Sequence, residues 1–186
     1  AEGGLASFIS KQRKLDGEAT LTFYRFDNVI EKVFENRPLH DVFSSDLKLD
    51  PRGSTALLDA MNQAIDEVGS RLEKTPEDKR PEKVYIVTIT DGYENCSVTP
   101  KKVLFDKITT QRDKFGWEFM YIGANQDAIA TAASMGIAAG STLSYSASAI
   151  GTINTYAALD NTIAYSRTTG KDVVFSATDR AEAMKH

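Results

Sequence analysis

The sequence predicts an α/β protein built on a doubly wound, mostly parallel sheet with helices on both faces. Segments with strand-like and helix-like patterns alternate along most of the chain, which is typical of this class. Residues 83–90 are almost continuously apolar or β-branched, as expected for a central strand buried on both faces. Residues 20–35 instead form two alternating runs around a turn, which predicts one antiparallel hairpin strand at an edge.

Size and composition narrow the class of protein. The chain has 186 residues, and 41% hydrophobic with 26% charged residues is the balance of one ordinary globular domain. The net charge of −4 disfavours a nucleic-acid partner, which needs a basic face. No stretch is long and apolar enough for a membrane span, and one cysteine permits no internal disulfide, so we expect a cytoplasmic protein. We assign residues 1–167 to the domain and 168–186 to a C-terminal tail or arm.

The N-terminal third is predicted to contain one helix and the hairpin. The helix covers residues 2–14, and it begins without a capping residue or a preceding strand. The hairpin strands follow at 20–26 and 29–35, joined by a tight turn. Residues 36–52 show no clean period, so we expect an irregular loop with a short helical turn.

The rest of the chain begins with the strongest helical pattern, at residues 53–74, where apolar residues recur at spacings of three and four. Ser54 or Thr55 is expected to cap this helix. The strand at 83–90 comes next. The later elements are predicted as a helix at 99–116, a strand at 117–124, a helix at 125–136, a strand at 141–148 and a helix at 148–167.

Polar residues gather where the parallel strands end, which is where open α/β sheets bind ligands. Asp91 directly follows the strand at 83–90, and Thr55 heads a helix that faces the same edge. Asn125 and Asp127 follow the next strand, where they are most simply caps of a helix.

Asp91 has three interpretations. Asp-Gly after a strand is a common turn, and its side chain often bonds its own loop. A carboxylate beside a hydroxyl also suits Mg²⁺ or Mn²⁺, which prefer hard oxygen ligands. Catalysis is the weakest interpretation because His40 and His186 lie in no recognisable motif. Cys96 follows Glu94 closely, which disfavours a reactive thiolate. We therefore expect no enzyme.

Two motifs give the chain a family resemblance. "RGSTALLDAM" followed by "VYIVTITDGYEN" resembles the von Willebrand factor A domain, and the order of elements agrees over residues 2–167. The stretch "YIGANQDAIATAASMG" looks like a bacterial or bacteriophage branch of that family. The resemblance implies a metal-ion-dependent adhesion site in which Thr55 and Asp91 are ligands of Mg²⁺ or Mn²⁺.

The resemblance also has a gap. The family's first strand ends in D-x-S-x-S and precedes the first helix, but neither occurs in this sequence, and "SSD" at 44–46 lies in the wrong place. We expect both to lie upstream in a longer protein. On this view the metal site is incomplete in residues 1–186, and this chain binds the ion weakly or not at all.

The function implied by the resemblance is recognition of a partner protein whose Asp or Glu binds the metal. The rim of that site would be formed by Ser54, Gly92, Tyr93, Glu94 and Asn95. Within it we interpret Glu94 as a solvated loop charge. Asp59 is interpreted as a helix N-terminal carboxylate favoured by the helix dipole. The alternative function is a structural or assembly subunit that uses the same fold as a scaffold and needs no metal.

Overall fold

The structure is a computed structural model, which describes residues 1–49, 53–124 and 127–186. Helices and strands alternate in these ranges, as predicted for an α/β protein. The helices are α1 (Glu2–Gln12), α2 (Leu57–Lys74), α3 (Lys101–Phe115), α4 (Ala128–Ser134), α5 (Ala149–Thr169) and α6 (Ala177–Ala183). The strands are β1 (Thr20–Phe26), β2 (Ile30–Pro38), β3 (Tyr85–Thr90), β4 (Glu118–Ala124) and β5 (Thr142–Tyr145). Within the described ranges, none of the helices is long and apolar enough to cross a lipid bilayer.

Three of the strands form a parallel sheet in the order β3–β4–β5. The register pairs Tyr85 with Glu118 and Tyr121 with Thr142. Since the strands are parallel, all three end at one edge of the sheet. We call the residues that follow these strand ends, together with the facing N-terminus of α2, the rim.

Helices cover both faces of the parallel sheet, as predicted. Alternate residues of β4 point to opposite faces, because side chains alternate along a strand. Phe119 and Tyr121 pack in one core with α2, α3 and α4. Met120 and Ile122 pack in a second core with α5 and α6.

The hairpin β1–β2 forms a separate antiparallel sheet, which corrects the prediction of a single sheet. Within the described residues β1 pairs only with β2 and β3 pairs only with β4, so no strand joins the two sheets. The predicted central strand is therefore an edge strand. Its apolar residues Tyr85, Val87 and Ile89 are half-buried, whereas Met120 and Ile122 in β4 are 0% exposed.

Helix α2 lies along β1 and runs in the opposite direction. At one end the Ala56 amide donates to the Asp27 carbonyl, which follows β1, at 2.6 Å. Further along, the Tyr24 hydroxyl donates to the Glu67 carboxylate, also at 2.6 Å. The C-terminal end of β1 therefore meets the N-terminal end of α2.

The C-terminal end of β3 meets the same end of α2, because Asn95 in the following loop donates its amide to the Thr55 carbonyl at 3.1 Å. The C-terminal ends of β1 and β3 thus meet at the same end of α2. Phe26, the last residue of β1, packs against the same core as Val84 and Ile86. Among the described residues β3 has no strand partner on the side away from β4, and we call this unpaired edge of β3 the slot.

Two segments differ in detail from the sequence expectation. Strand β2 continues to Pro38 instead of stopping at residue 35, because register shifts and a left-handed Asn36 (φ 48°) let it pair further with β1. Two short 3-10 turns then cover Leu39–Asp41 and Ser44–Asp46. Residues 168–186 hold α6, which begins with a capping box between Ser176 and Asp179 and packs on α5 and β5.

Candidate functional site

The structure brings Thr55 and the Asp91-Gly92 loop together at the rim. A methyl group added at Gly92 would overlap the hydroxyl oxygen of Thr55, so the two loops are in direct contact. Only glycine allows this approach, because any other residue would push the threonine hydroxyl away. The two predicted metal ligands therefore come from segments that pack against each other.

Asp91 projects from a turn that its neighbour, Thr90, stabilises. The Thr90 hydroxyl accepts a hydrogen bond from the Gly92 amide and lies within bonding distance of the Gly92 carbonyl, both at 3.1 Å. The Asp91 carboxylate is exposed and makes no hydrogen bond or ion pair with the residues that the structure describes. The turn chemistry expected of Asp91 is thus supplied by Thr90, and the aspartate is left facing outward.

Tyr145 is a rim residue that sequence reasoning missed. It ends β5, two strands away from Asp91, and it is 9% exposed. Burial raises the pKa of the Tyr145 phenol, and the negative charge of Asp91 raises it further. The phenol therefore lies within electrostatic reach of Asp91. The sequence does not predict this proximity, because β5 is a short strand with a weak hydrophobic pattern.

The predicted cap of α2 is wrong. The N-cap residue is Ala56, and neither Ser54 nor Thr55 bonds the first turn with its side chain. Two free amides of that turn instead bond to the loop after β3. The Leu58 amide donates to the Glu94 carboxylate at 3.0 Å, and the Asp59 amide donates to the Ser97 hydroxyl at 3.2 Å.

Glu94 is a capping carboxylate and not a solvated loop charge. One oxygen accepts the Cys96 and Ser97 amides at 3.0 and 2.8 Å. The other accepts the Leu58 amide and the Ser97 hydroxyl, the latter at 2.7 Å. Burial would raise the pKa of Glu94, but these hydrogen bonds outweigh it and lower the pKa below the ordinary value.

Two further contacts join the same segments. The Thr55 amide donates to the Asn95 side-chain oxygen at 3.0 Å, in return for the Asn95 amide bond to the Thr55 carbonyl. The Asp59 carboxylate accepts the amides of Val98 and Thr99, the latter at 2.7 Å. The dipole role predicted for Asp59 is therefore accompanied by a specific structural one. We call the contacts between residues 55–59 and 94–99 the clasp.

Hydrogen bonds also determine the ionisation of Asp59. Burial would raise the pKa of its carboxyl, but the hydrogen bonds from Thr99 and Val98 outweigh it and lower the pKa. Hydrogen bonds from backbone amides thus favour the charged form of both clasp carboxylates, Glu94 and Asp59. Because their oxygens already accept these bonds, neither carboxylate is free to bind a ligand.

The other polar and aromatic residues predicted near the rim differ in their exposure and their contacts. Ser54 is half-buried, and Tyr93 is 63% exposed. Asp127 caps α4 as predicted, since its side chain accepts the Ala130 amide at 3.0 Å. The expectation for Asn125 falls outside the described residues.

One histidine lies nearer the rim than the sequence suggested. His40 is exposed beside Asp41, but Nδ1 of His186 lies 2.9 Å from the hydroxyl of Ser146, the residue after β5. Ser146 is only 2% exposed. A serine buried to this extent cannot reach a substrate, so the pair gives no support to a hydrolase.

The oxygen atoms at the rim are of the type that a hard divalent ion prefers, but there are too few of them for a complete site. A Mg²⁺ site needs several carboxylate or substrate oxygens to compensate for lost water. Thr55 and Asp91 supply one hydroxyl and one free carboxylate. Across residues 1–49, 53–124 and 127–186, no group of three or more His, Cys, Asp or Glu residues is placed to hold a metal ion.

Comparison with known proteins leaves the family open. No protein-family model matches the chain, and no curated protein is detectably similar to it in sequence. The resemblance to the von Willebrand factor A domain therefore stays a prediction that rests on the two motifs.

Proposed function

We propose that this chain is a protein-binding module of the von Willebrand factor A type that holds Mg²⁺ or Mn²⁺ between Thr55 and Asp91. The metal keeps one coordination position open, and a partner protein fills it with an Asp or Glu oxygen. The observation that carries the proposal is the contact of the Thr55 hydroxyl with Gly92, beside an outward-facing Asp91. Two motifs far apart in sequence thus pack against each other at the rim, which supports the proposal.

The proposal requires further ligands from residues outside this sequence, and the slot offers a place for them. A strand seated there would pair with β3, and the C-terminal ends of β1 and β3 both meet the N-terminus of α2. If it were parallel to β3, it would end at the rim beside Thr55 and Asp91. A D-x-S-x-S motif after that strand would supply the missing carboxylate and hydroxyls.

The test is calorimetric titration with Mg²⁺ and Mn²⁺. It uses the present chain, a version extended upstream in its reading frame, and Asp91→Ala in the extended version. Asp106→Ala, an exposed carboxylate on α3 that pairs with Lys102, is the matched control. We expect binding to the extended chain that Asp91→Ala abolishes and Asp106→Ala retains. Absence of binding to every version would refute the metal site.

The alternative is a metal-independent scaffold, and one observation favours it. The clasp already occupies Glu94 and Asp59 with backbone amides, so these two rim carboxylates serve internal structure. A scaffold would bind its partner equally well in chelator and in Mg²⁺. A pull-down of the extended chain from its native extract, with and without EDTA, therefore separates the two functions.

A further inference from the structure

We infer that Glu94 is a positioning residue, which acts through the clasp to hold the Thr55 hydroxyl against the Asp91-Gly92 loop. The inference rests on the proposed function for its consequence in binding, but its structural part is independent of any metal. Within the part of the chain that the structure describes, the Glu94 carboxylate makes no hydrogen bond to Thr55 or Asp91. Glu94 therefore acts on Thr55 indirectly, through the backbone of residues 55–58 and of the loop after β3.

Helix α2 has no side-chain cap from its own N-cap residue. Amides in the first turn of a helix need partners from outside the helix. Ala56 has no side-chain acceptor, and the Leu58 amide is satisfied by Glu94, a residue 36 positions later. The start of α2, and with it Thr55, is consequently fixed by the loop that carries Asp91.

The two oxygens of the Glu94 carboxylate have different partners. One oxygen folds its own loop through the amides of Cys96 and Ser97. The other reaches across to Leu58 and also accepts the Ser97 hydroxyl. A single carboxylate thus shapes the loop and attaches it to the helix.

The loop that Glu94 attaches to α2 also holds Thr55, a candidate ligand. Asn95, adjacent to Glu94, exchanges two hydrogen bonds with the Thr55 backbone. On the other side, Gly92 lies against the Thr55 side chain. Thr55 is therefore held by the same loop through its backbone and its hydroxyl, and loss of Glu94 would loosen both contacts.

The structural test is an NMR measurement on the 186-residue chain without metal. The Thr55 methyl and the Gly92 α-protons should show a nuclear Overhauser effect, which reports their contact directly. We expect Glu94→Ala to abolish it and to accelerate hydrogen exchange at Leu58, while Glu94→Gln, which keeps an acceptor oxygen, retains much of both. Glu77→Ala, at an exposed surface turn, is the control. An unchanged Thr55–Gly92 effect in folded Glu94→Ala would overturn the inference.

The binding test uses Mn²⁺ alone and the upstream-extended chain. Residues that orient metal ligands from outside the coordination shell typically contribute 10- to 100-fold in affinity, so Glu94→Ala should weaken Mn²⁺ binding by roughly that factor. Glu94→Gln should recover part of it. If the extended chain binds Mn²⁺ but Glu94→Ala binds equally well, the positioning role is refuted. If the extended chain binds no Mn²⁺, the proposed function fails, and the Thr55–Gly92 measurement alone decides the role of Glu94.

Discussion

At the scale of single residues, Glu94 links the stability of the protein to pH. Its folded-state pKa is lowered, so its contribution to the free energy of unfolding is complete above the ordinary value of 4.5 and is lost as the pH falls through the folded-state pKa. We expect Glu94→Gln to flatten this acid limb in urea unfolding measured from pH 6 to pH 3. At neutral pH, Glu94→Ala should cost about 0.5–2 kcal/mol, the usual range for a lost helix cap. An acid limb identical to that of the parent chain would contradict this role.

Gly92 gives a second prediction at the residue scale. In Gly92→Ala the new methyl group overlaps the Thr55 hydroxyl, so the loops must separate. We expect a loss of about 1–3 kcal/mol in the free energy of unfolding, as for other overpacked sites. Gly3→Ala is the control, because a methyl group there meets nothing within 4 Å and should be neutral or slightly stabilising. Equal stability of the two variants in urea would show that the rim tolerates the overlap.

At the scale of elements, the C-terminal segment is expected to contribute strongly to stability. Phe175 is 3% exposed and packs in the core with β5 and α5, whereas the adjacent Val174 is 61% exposed. Phe175→Ala should therefore cost about 3–5 kcal/mol, and Val174→Ala should stay within about 0.5 kcal/mol. Thermal unfolding of the two variants measures the difference. Similar melting temperatures would mean that the segment is not part of the cooperative unit.

The same elements show which features a sequence can predict. The sequence predicts helix α2 because the apolar residues of its buried face recur at helical spacing within the helix itself. Its cap was not predicted, because the capping carboxylate lies 36 residues later and only folding brings it near. The edge position of β3 was equally hidden, since its composition is that of a strand with two neighbours. For α6, a local signal did exist in Ser176 and Asp179, whose capping box marks the helix start.

At the scale of the whole molecule, the slot predicts an alternating pattern of hydrogen exchange along β3. The Val84 carbonyl bonds to β4 through the Glu118 amide, and in a parallel ladder alternate residues bond the same neighbour. The amides of Val87 and Ile89 therefore point to the slot. In the 186-residue chain they should exchange faster than that of Thr88, and a strand seated in the slot should remove the difference. Uniform protection along β3 in the present chain would show that its edge is already covered.

The position of the lone cysteine has a practical consequence for spectroscopy. Cys96 is exposed and lies inside the clasp, with its amide bound to Glu94. A thiol-specific nitroxide therefore attaches at one place, close to Asp91, without any substitution in the chain. Dipolar broadening of the nitroxide spectrum by Mn²⁺ would give the distance from the nitroxide to the ion. The line shape of the nitroxide spectrum without Mn²⁺ would report the mobility of the loop. The protein thus carries a native attachment point for a reporter beside the surface at which partner recognition is proposed.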